Sequence, residues 1–182
     1  TLATPRPQGS ENLSPTVIPL GPVLKVCQNL LREQVPIRDL LTILETLANH
    51  GVGQKDPESL TEFSRGALAR TITNRLTLGT QSLEVITMAP KTEEALIRAY
   101  QRNEQRPKLN LEPGHFERLV TQTQKLIEGT VFSSGIPVLL CHPLIRSQLR
   151  KLVERFIPNL TIVSANEIAT FARVKSLGSV EA

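Results

Sequence analysis

The 182-residue sequence predicts a mixed α+β or α/β fold, a three-helix subdomain at 17–79 followed by a small α/β subdomain of three to four strands at 80–182. Two observations carry that expectation. Up to about Leu76 the apolar residues recur at intervals of three and four, the spacing that gathers side chains on one face of a helix. Beyond Leu78-Gly79 short β-branched runs appear between further helical patterns, an alternation that argues for some parallel strand pairing.

Residues 1–16 contain Pro5, Pro7, Gly9, Ser10, Asn12, Ser14 and Pro15 with little apolar content to order them by burial, so they are expected to form a flexible tail or linker. Leu20, Val23, Leu24, Cys27, Leu30 and Leu31 form the apolar stripe of a first helix, and Ile37, Leu40, Leu41, Leu44, Leu47 and Ala48 that of a second. Pro36 suits the first turn of the second helix, which brings Arg38 and Asp39 into that turn, and Gly51 suits its C-terminal cap. Asp56-Pro57 signals the start of a third helix, because the carboxylate accepts from free amides and proline lacks the donor that would go unpaired. That helix is expected to run through about Leu76, with Leu60, Phe63, Ala67, Leu68 and Ile72 on its apolar face and Gly66 as a weak point.

Leu83–Met88, Pro137–Cys141 and Leu160–Ser164 are short enough and β-branched enough for buried strands. Helical patterns fall between them, at about 92–103, 113–132 and 144–156. The alternation of Phe171–Leu177, with Arg173 and Lys175 on one side, fits an edge strand whose charges discourage further pairing.

With 40% hydrophobic, 21% charged and 3% aromatic residues and no Trp, the composition is that of an ordinary globular protein with an aliphatic core. The net charge of +4 is spread along the chain, with 8 basic against 7 acidic residues up to Gly79 and 13 against 10 after it, so nucleic acid is a poor expectation. Cys27 and Cys141 stand far apart in apolar runs, which suits buried reduced thiols in a cytosolic protein better than a disulfide framework. No apolar stretch approaches the roughly 20 residues a spanning helix requires, so the chain is expected to be soluble. Thr1 reads as a processed start or as a cut in a longer polypeptide.

Candidate chemistry is sparse. His142 and Ser164 would sit at the C-terminal ends of two strands with Glu167 close by, so a small hydrolase or transferase is the alternative to a non-catalytic protein. No Gly-x-Ser-x-Gly elbow surrounds Ser164, and turn or cap roles fit better. His50, His115 and His142 share no metal-ligand spacing with each other or with the cysteines, and no nucleotide-binding motif is present, so neither metal nor cofactor is expected. Arg146, Arg150, Lys151 and Arg155 line the polar side of one helix, where Glu154 follows Arg150 by four residues; a solvated face that contacts an acidic partner fits them best.

The run Leu30-Leu31-Arg32-Glu33-Gln34-Val35-Pro36-Ile37-Arg38-Asp39-Leu40-Leu41-Thr42-Ile43-Leu44-Glu45 resembles the cytosolic part of the export-gate family of bacterial flagella and type III secretion systems. So do Leu60–Arg65 with Leu68-Ala69-Arg70, then Leu83–Thr87, Leu109–Pro113, Pro137–Leu140, Ile145-Arg146, Pro158-Asn159-Leu160 and Asn166-Glu167-Ile168. No one stretch is diagnostic, but their order and spacing together are specific. The Asn-Glu-Ile triplet and the ending Val174–Val180 look more like the flagellar branch, while Ala165 departs from the aromatic residue usual before that triplet.

The resemblance implies the last two of four cytosolic subdomains of a larger membrane-anchored protein, placed at the cytoplasmic face of the bacterial inner membrane. Residues before Val17 do not resemble the earlier subdomains. A non-catalytic scaffold and docking module follows, ring-forming, nonameric in the family, and engaging chaperone-substrate complexes and other export components, although the main chaperone pocket lies in the missing subdomains. Arg32, Glu33, Arg38, Asp39, Glu62, Arg65 and Arg70, with Arg146 and Arg150, are then the candidates for polar contacts between subunits or subdomains.

Overall fold

The computed structural model describes residues 18–53, 56–101 and 108–182, so the tail expected at 1–16 lies outside the described residues. Four helices come first: α1 Leu20–Arg32, α2 Leu40–His50, α3 Pro57–Ala67 and α4 Ala69–Thr77. The strand β1 Ser82–Met88 then leads through α5 Pro90–Gln101 and α6 Pro113–Glu128 to β2 Val138–Cys141. Helix α7 Arg146–Val153 joins β2 to β3 Thr161–Ser164, and a 3-10 turn at Ala165–Glu167 precedes β4 Arg173–Val180.

The sheet has the order β3-β2-β1-β4 and every pairing is parallel. Parallel strands are buried on both faces, and the short apolar runs show it. Ile86, Met88, Leu139, Cys141, Ile162 and Val180 point to one face, where they meet Leu96, Leu119, Ile145 and Leu149 from α5, α6 and α7. Leu83, Val85, Val138 and Val163 point to the other, where they meet Val26, Leu30, Ile43, Leu60, Leu68 and Ile72 from α1 to α4. The four N-terminal helices therefore form one outer layer of a three-layer sandwich, and their core includes four strand side chains.

Several expected boundaries move, each for a local reason. On α1 the buried side is Val26, Cys27 and Leu30 with Val23 half-buried, whereas Leu20, Leu24 and Leu31 of the expected stripe are 79%, 56% and 53% exposed. Helix α2 begins after Pro36, because Asp39 is its N-cap and its carboxylate accepts from the amide of Thr42 at 3.2 Å. Val35, buried, and Ile37 thus belong to an extended strap across the core, and Arg38 precedes the helix.

Gly51 is the C-cap of α2 in a right-handed conformation, not a left-handed one, and a Cβ there would lie 2.5 Å from the Leu47 carbonyl oxygen. The single third helix becomes two. The break falls at Leu68 (φ −91°, ψ 17°), whose amide is shared between the carbonyls of Ser64 and Arg65 while its side chain stays buried.

Strand β4 takes the expected edge but starts at Arg173 and runs to Val180, with a register shift opposite Val85 and Ile86. Gly178 lets the strand approach α6 closely there, since a Cβ would stand 2.7 Å from a terminal methyl of Leu126, which would have to shift. Burial pushes the Cys141 thiol far above its ordinary range, and Cys27 is a buried free thiol as well.

Candidate functional site

Charge is buried where the helical layer meets the sheet. Arg65 from α3 and Arg146 from α7 are each 1% exposed, and Glu167 from the 3-10 turn is 2% exposed. Arg65 is committed to Glu167, with Nε donating to Oε1 at 2.5 Å and Nη2 to Oε2 at 3.1 Å, and Nη2 also reaches the Ile162 carbonyl at 3.4 Å. Arg146 spreads a fork of bonds. Its Nη1 donates to Glu33 Oε2 at 2.7 Å and to the Ile162 carbonyl at 3.2 Å, its Nη2 to Glu33 Oε1 at 3.0 Å, and its Nε to Glu62 Oε2 at 2.7 Å. Arg146 Nη2 also bonds Glu62 Oε1. The planar guanidinium is the cation suited to such bidentate pairing in a desolvated place.

Three carboxylates share two guanidinium groups, so they are not equally satisfied. Burial pushes Glu33 up, but Arg146 and Arg65 more than offset it and hold its carboxyl below the ordinary value. Burial also pushes Glu62 up, and there Arg146 does not fully compensate while Glu167 repels, so Glu62 stays above its ordinary value. Opposing carboxylates hold the Arg146 guanidinium charged despite its burial. Helix α4 completes the joint, because Thr73 Oγ1 donates to the Glu167 carbonyl at 3.2 Å and accepts from the Ala169 amide at 2.8 Å.

The break at Leu68 lets α3 and α4 both aim at this turn. At the rim Glu58 of α3 accepts from Ser147 at 2.6 Å and from Gln148 at 2.7 Å on α7, and pairs with Lys151.

The structure thus gathers Glu33, Glu62, Arg65 and Arg146 into one buried cluster and sets Arg150 beside it, where Nη1 donates to the Leu160 carbonyl at 2.7 Å. The solvated face expected on α7 fails at Arg146. Its residue type and spacing look exposed, but α1 and α3 cover that side of the helix and supply two carboxylates. Arg32, Arg38 and Arg70 are exposed, and Asp39 serves α2 as its cap. Sequence reasoning placed Glu167 in a motif and beside a candidate serine, but not as the partner of Arg65.

His142 and Ser164 do sit at the ends of the neighbouring strands β2 and β3, where Cys141 registers with Ser164. Both are used locally. His142 Nδ1 accepts from the Leu144 amide at 3.1 Å, while Ser164 is 2% exposed and its amide donates to Glu167 Oε2 at 3.1 Å. A bridge from α5 adds Glu93, which accepts from the His142 amide at 2.9 Å. His50, expected at the end of its helix, stacks its ring on Phe63 of α3 with centroids 4.1 Å apart.

Among known proteins, the FHIPEP family model matches residues 1–173, so the likeness extends over the N-terminal residues for which no family resemblance was expected. The chain is 36% identical to the flagellar biosynthesis protein FlhA of Bacillus subtilis over 171 residues, covering 94% of this chain and 25% of that protein. It is 37% identical to FlhA of Salmonella typhimurium over 174 residues, covering 96% of this chain and 24% of that protein. The chain therefore spans about a quarter of the length of the curated relatives it matches.

Two solved structures have the same fold. One is the complex of Chlamydia pneumoniae CdsV and CdsO, at 30% identity and a TM-score of 0.81 over 90% of this chain and 48% of that one. The other is the nonameric SctV-C of EPEC, at 28% identity and a TM-score of 0.76 over 90% and 49%. The two FlhA proteins are more similar to this chain in sequence than CdsV and SctV-C are, in line with the flagellar look of the Asn166-Glu167-Ile168 triplet and the ending. With its fold, its motif order and a matching model over 173 of 182 residues in agreement, the chain belongs to the FHIPEP family of flagellar and type III secretion export-gate proteins.

Proposed function

We infer that this chain is a non-catalytic scaffold and docking module of a flagellar protein-export gate, contributing subunit contacts to a ring at the cytoplasmic face of the inner membrane. One observation carries the reading. The helical layer carries exposed leucines beyond the side it presents to the sheet: Leu20, Leu24 and Leu31 of α1 are more than half exposed, and Leu40 and Leu41 of α2 are 45% and 68% exposed. Apolar surface spaced along a helix in this way suits a neighbouring subunit. Arg32, Arg38 and Arg70 then serve as polar contacts at the rim, where charge sets register more than affinity.

The nonameric assembly of the EPEC relative and the CdsO complex of the chlamydial one support the same two roles here, self-association and engagement of another export component. Engagement of export chaperones and their substrates belongs to the whole protein. The local engagement of His142 and the burial of Ser164 support a role without catalysis.

Replacing Leu24 and Leu31 together with Glu, or reversing Arg38 and Arg70 to Glu, in the full-length protein tests the reading. Ring assembly, followed by sedimentation and by swimming motility, is expected to fall for both variants. Normal assembly and motility in both would remove the helical layer from the subunit contact.

A further inference from the structure

Two clefts of about 240 and 300 Å³ run along the seam between the helical layer and the sheet, and they share Arg32, Glu33 and Arg150 in their walls. The first is closed by Arg75 and by the turns around Pro137 and Pro158; the second continues past Lys25 and Lys151.

Most of the carboxylates along these clefts already have close partners. Glu33 gives both oxygens to Arg146, Glu62 does the same, Glu58 is held by Ser147, Gln148 and Lys151, and Asp56 accepts from Ser59 at 3.0 Å. The cations are not similarly satisfied. Lys25 and Arg32 are exposed and make no hydrogen bond to any described residue, and the side-chain bond of Arg75 goes to the neutral amide oxygen of Gln34. Arg150 Nε is buried with no hydrogen-bond partner among the described residues; Glu154 stands 4.0 Å away, beyond hydrogen-bond reach. The first cleft thus sets Arg32, Arg75 and Arg150 against the one carboxylate of Glu33, whereas the second is balanced in charge.

We propose that this seam docks an extended, carboxylate-bearing segment of a protein partner, held by Arg32 and Arg75. An elongated path over two joined clefts suits a polypeptide better than a compact anion. Fork-shaped guanidinium donors match carboxylates in geometry as well as sign. One copy of the chain holds the whole track, but Arg32 also belongs to the rim proposed for ring contacts, so Arg75, which has no part in those contacts, separates the two readings.

The test uses the 182-residue chain and a fluorescein-labelled peptide of about nine residues alternating glutamate and serine, followed by anisotropy at low salt. The expected result is saturable binding that weakens with salt. It is about ten-fold weaker in the Arg32→Gln/Arg75→Gln double variant, the loss expected for one or two charge-assisted bonds. An Arg173→Gln control on β4 should bind as the parent does.

Should the double variant fail to fold, Arg32→Gln alone, at an exposed position, is expected to weaken binding about three-fold. Equal binding of a glutamine-serine peptide, or parent-like binding by the Arg32 and Arg75 variants, would overturn the proposal. Displacement of the peptide by inorganic phosphate at concentrations below the peptide's own Kd would overturn it in favour of a compact-anion site.

Discussion

Replacing Glu167 with Gln removes one charge from the buried cluster at almost constant volume. In the parent, Glu167 accepts two bonds from Arg65 and one from the Ser164 amide, and it lies 3.4 Å from Arg146 Nε. After the change one amide oxygen can still accept from Arg65, but the carboxylate charge is gone, and Arg65, still 1% exposed, is left with Glu33 at 3.4 Å as its ion-pair partner among the described residues. Breaking one partner of a buried pair costs about 3–5 kcal/mol, because the remaining charge stays desolvated. Some of that returns here, since Glu167 repels Glu62 and its neutralisation relieves the excess of carboxylates.

A net loss of about 3 kcal/mol is therefore expected, which for a chain of this size lowers Tm by about 6–12 °C. The assay is thermal and urea unfolding followed by circular dichroism, with Glu154→Gln as a control. Glu154 is 38% exposed and 4.0 Å from Arg150, so the control should stay within about 0.5 kcal/mol of the parent. A Glu167→Gln protein that melts within about 1 °C of the parent would refute the account of the cluster.

Glu62 has its folded pKa raised above the ordinary carboxylate value of 4.5, so its contribution to stability is fully present below that value and is lost as pH rises through the folded pKa. The stability of Glu62→Gln relative to the parent should accordingly increase as pH rises above about 4.5, read from urea midpoints at a series of pH values; a flat or falling difference would contradict the assignment. Glu33 has the opposite sign. Its pKa is lowered, so its contribution is present above 4.5 and is lost as pH falls, and Glu33→Gln should cost most near neutral pH and least in acid.

Leu78 occupies the left-handed region at φ 51° with 65% of its surface exposed, so Leu78→Gly should stabilise the protein by about 0.5–1 kcal/mol, measured as a higher urea midpoint. Asp39→Ala removes the acceptor of the Thr42 amide and should cost about 1 kcal/mol by the same measurement.

Local chemistry was readable in the sequence wherever one residue or one short period sufficed. Asp56-Pro57 announced the start of α3, and the β-branched runs announced three buried strands, because capping and pleating act over a few residues. The same reading erred where two local rules competed. Pro36 was a plausible first-turn residue of α2, but Asp39 made the stronger cap and moved the first helical residue from position 36 to position 40. Periodicity also could not separate the two apolar sides of α1, since leucines facing solvent and leucines facing a core share the same spacing.

By itself the sequence determined the mixed fold, the order of helices and strands, the edge position of the last strand and membership in an export-gate family. Those properties follow from period, turn chemistry and motif order along the chain. Only the tertiary structure decided that Arg65 and Arg146 are core residues. Their partners lie 102 residues away at Glu167, and 113 and 84 residues away at Glu33 and Glu62, and an arginine carries no local mark that says whether carboxylates or water will surround it. Burial of charge depends on which groups converge in space, and that convergence is set by the packing of four helices onto a parallel sheet.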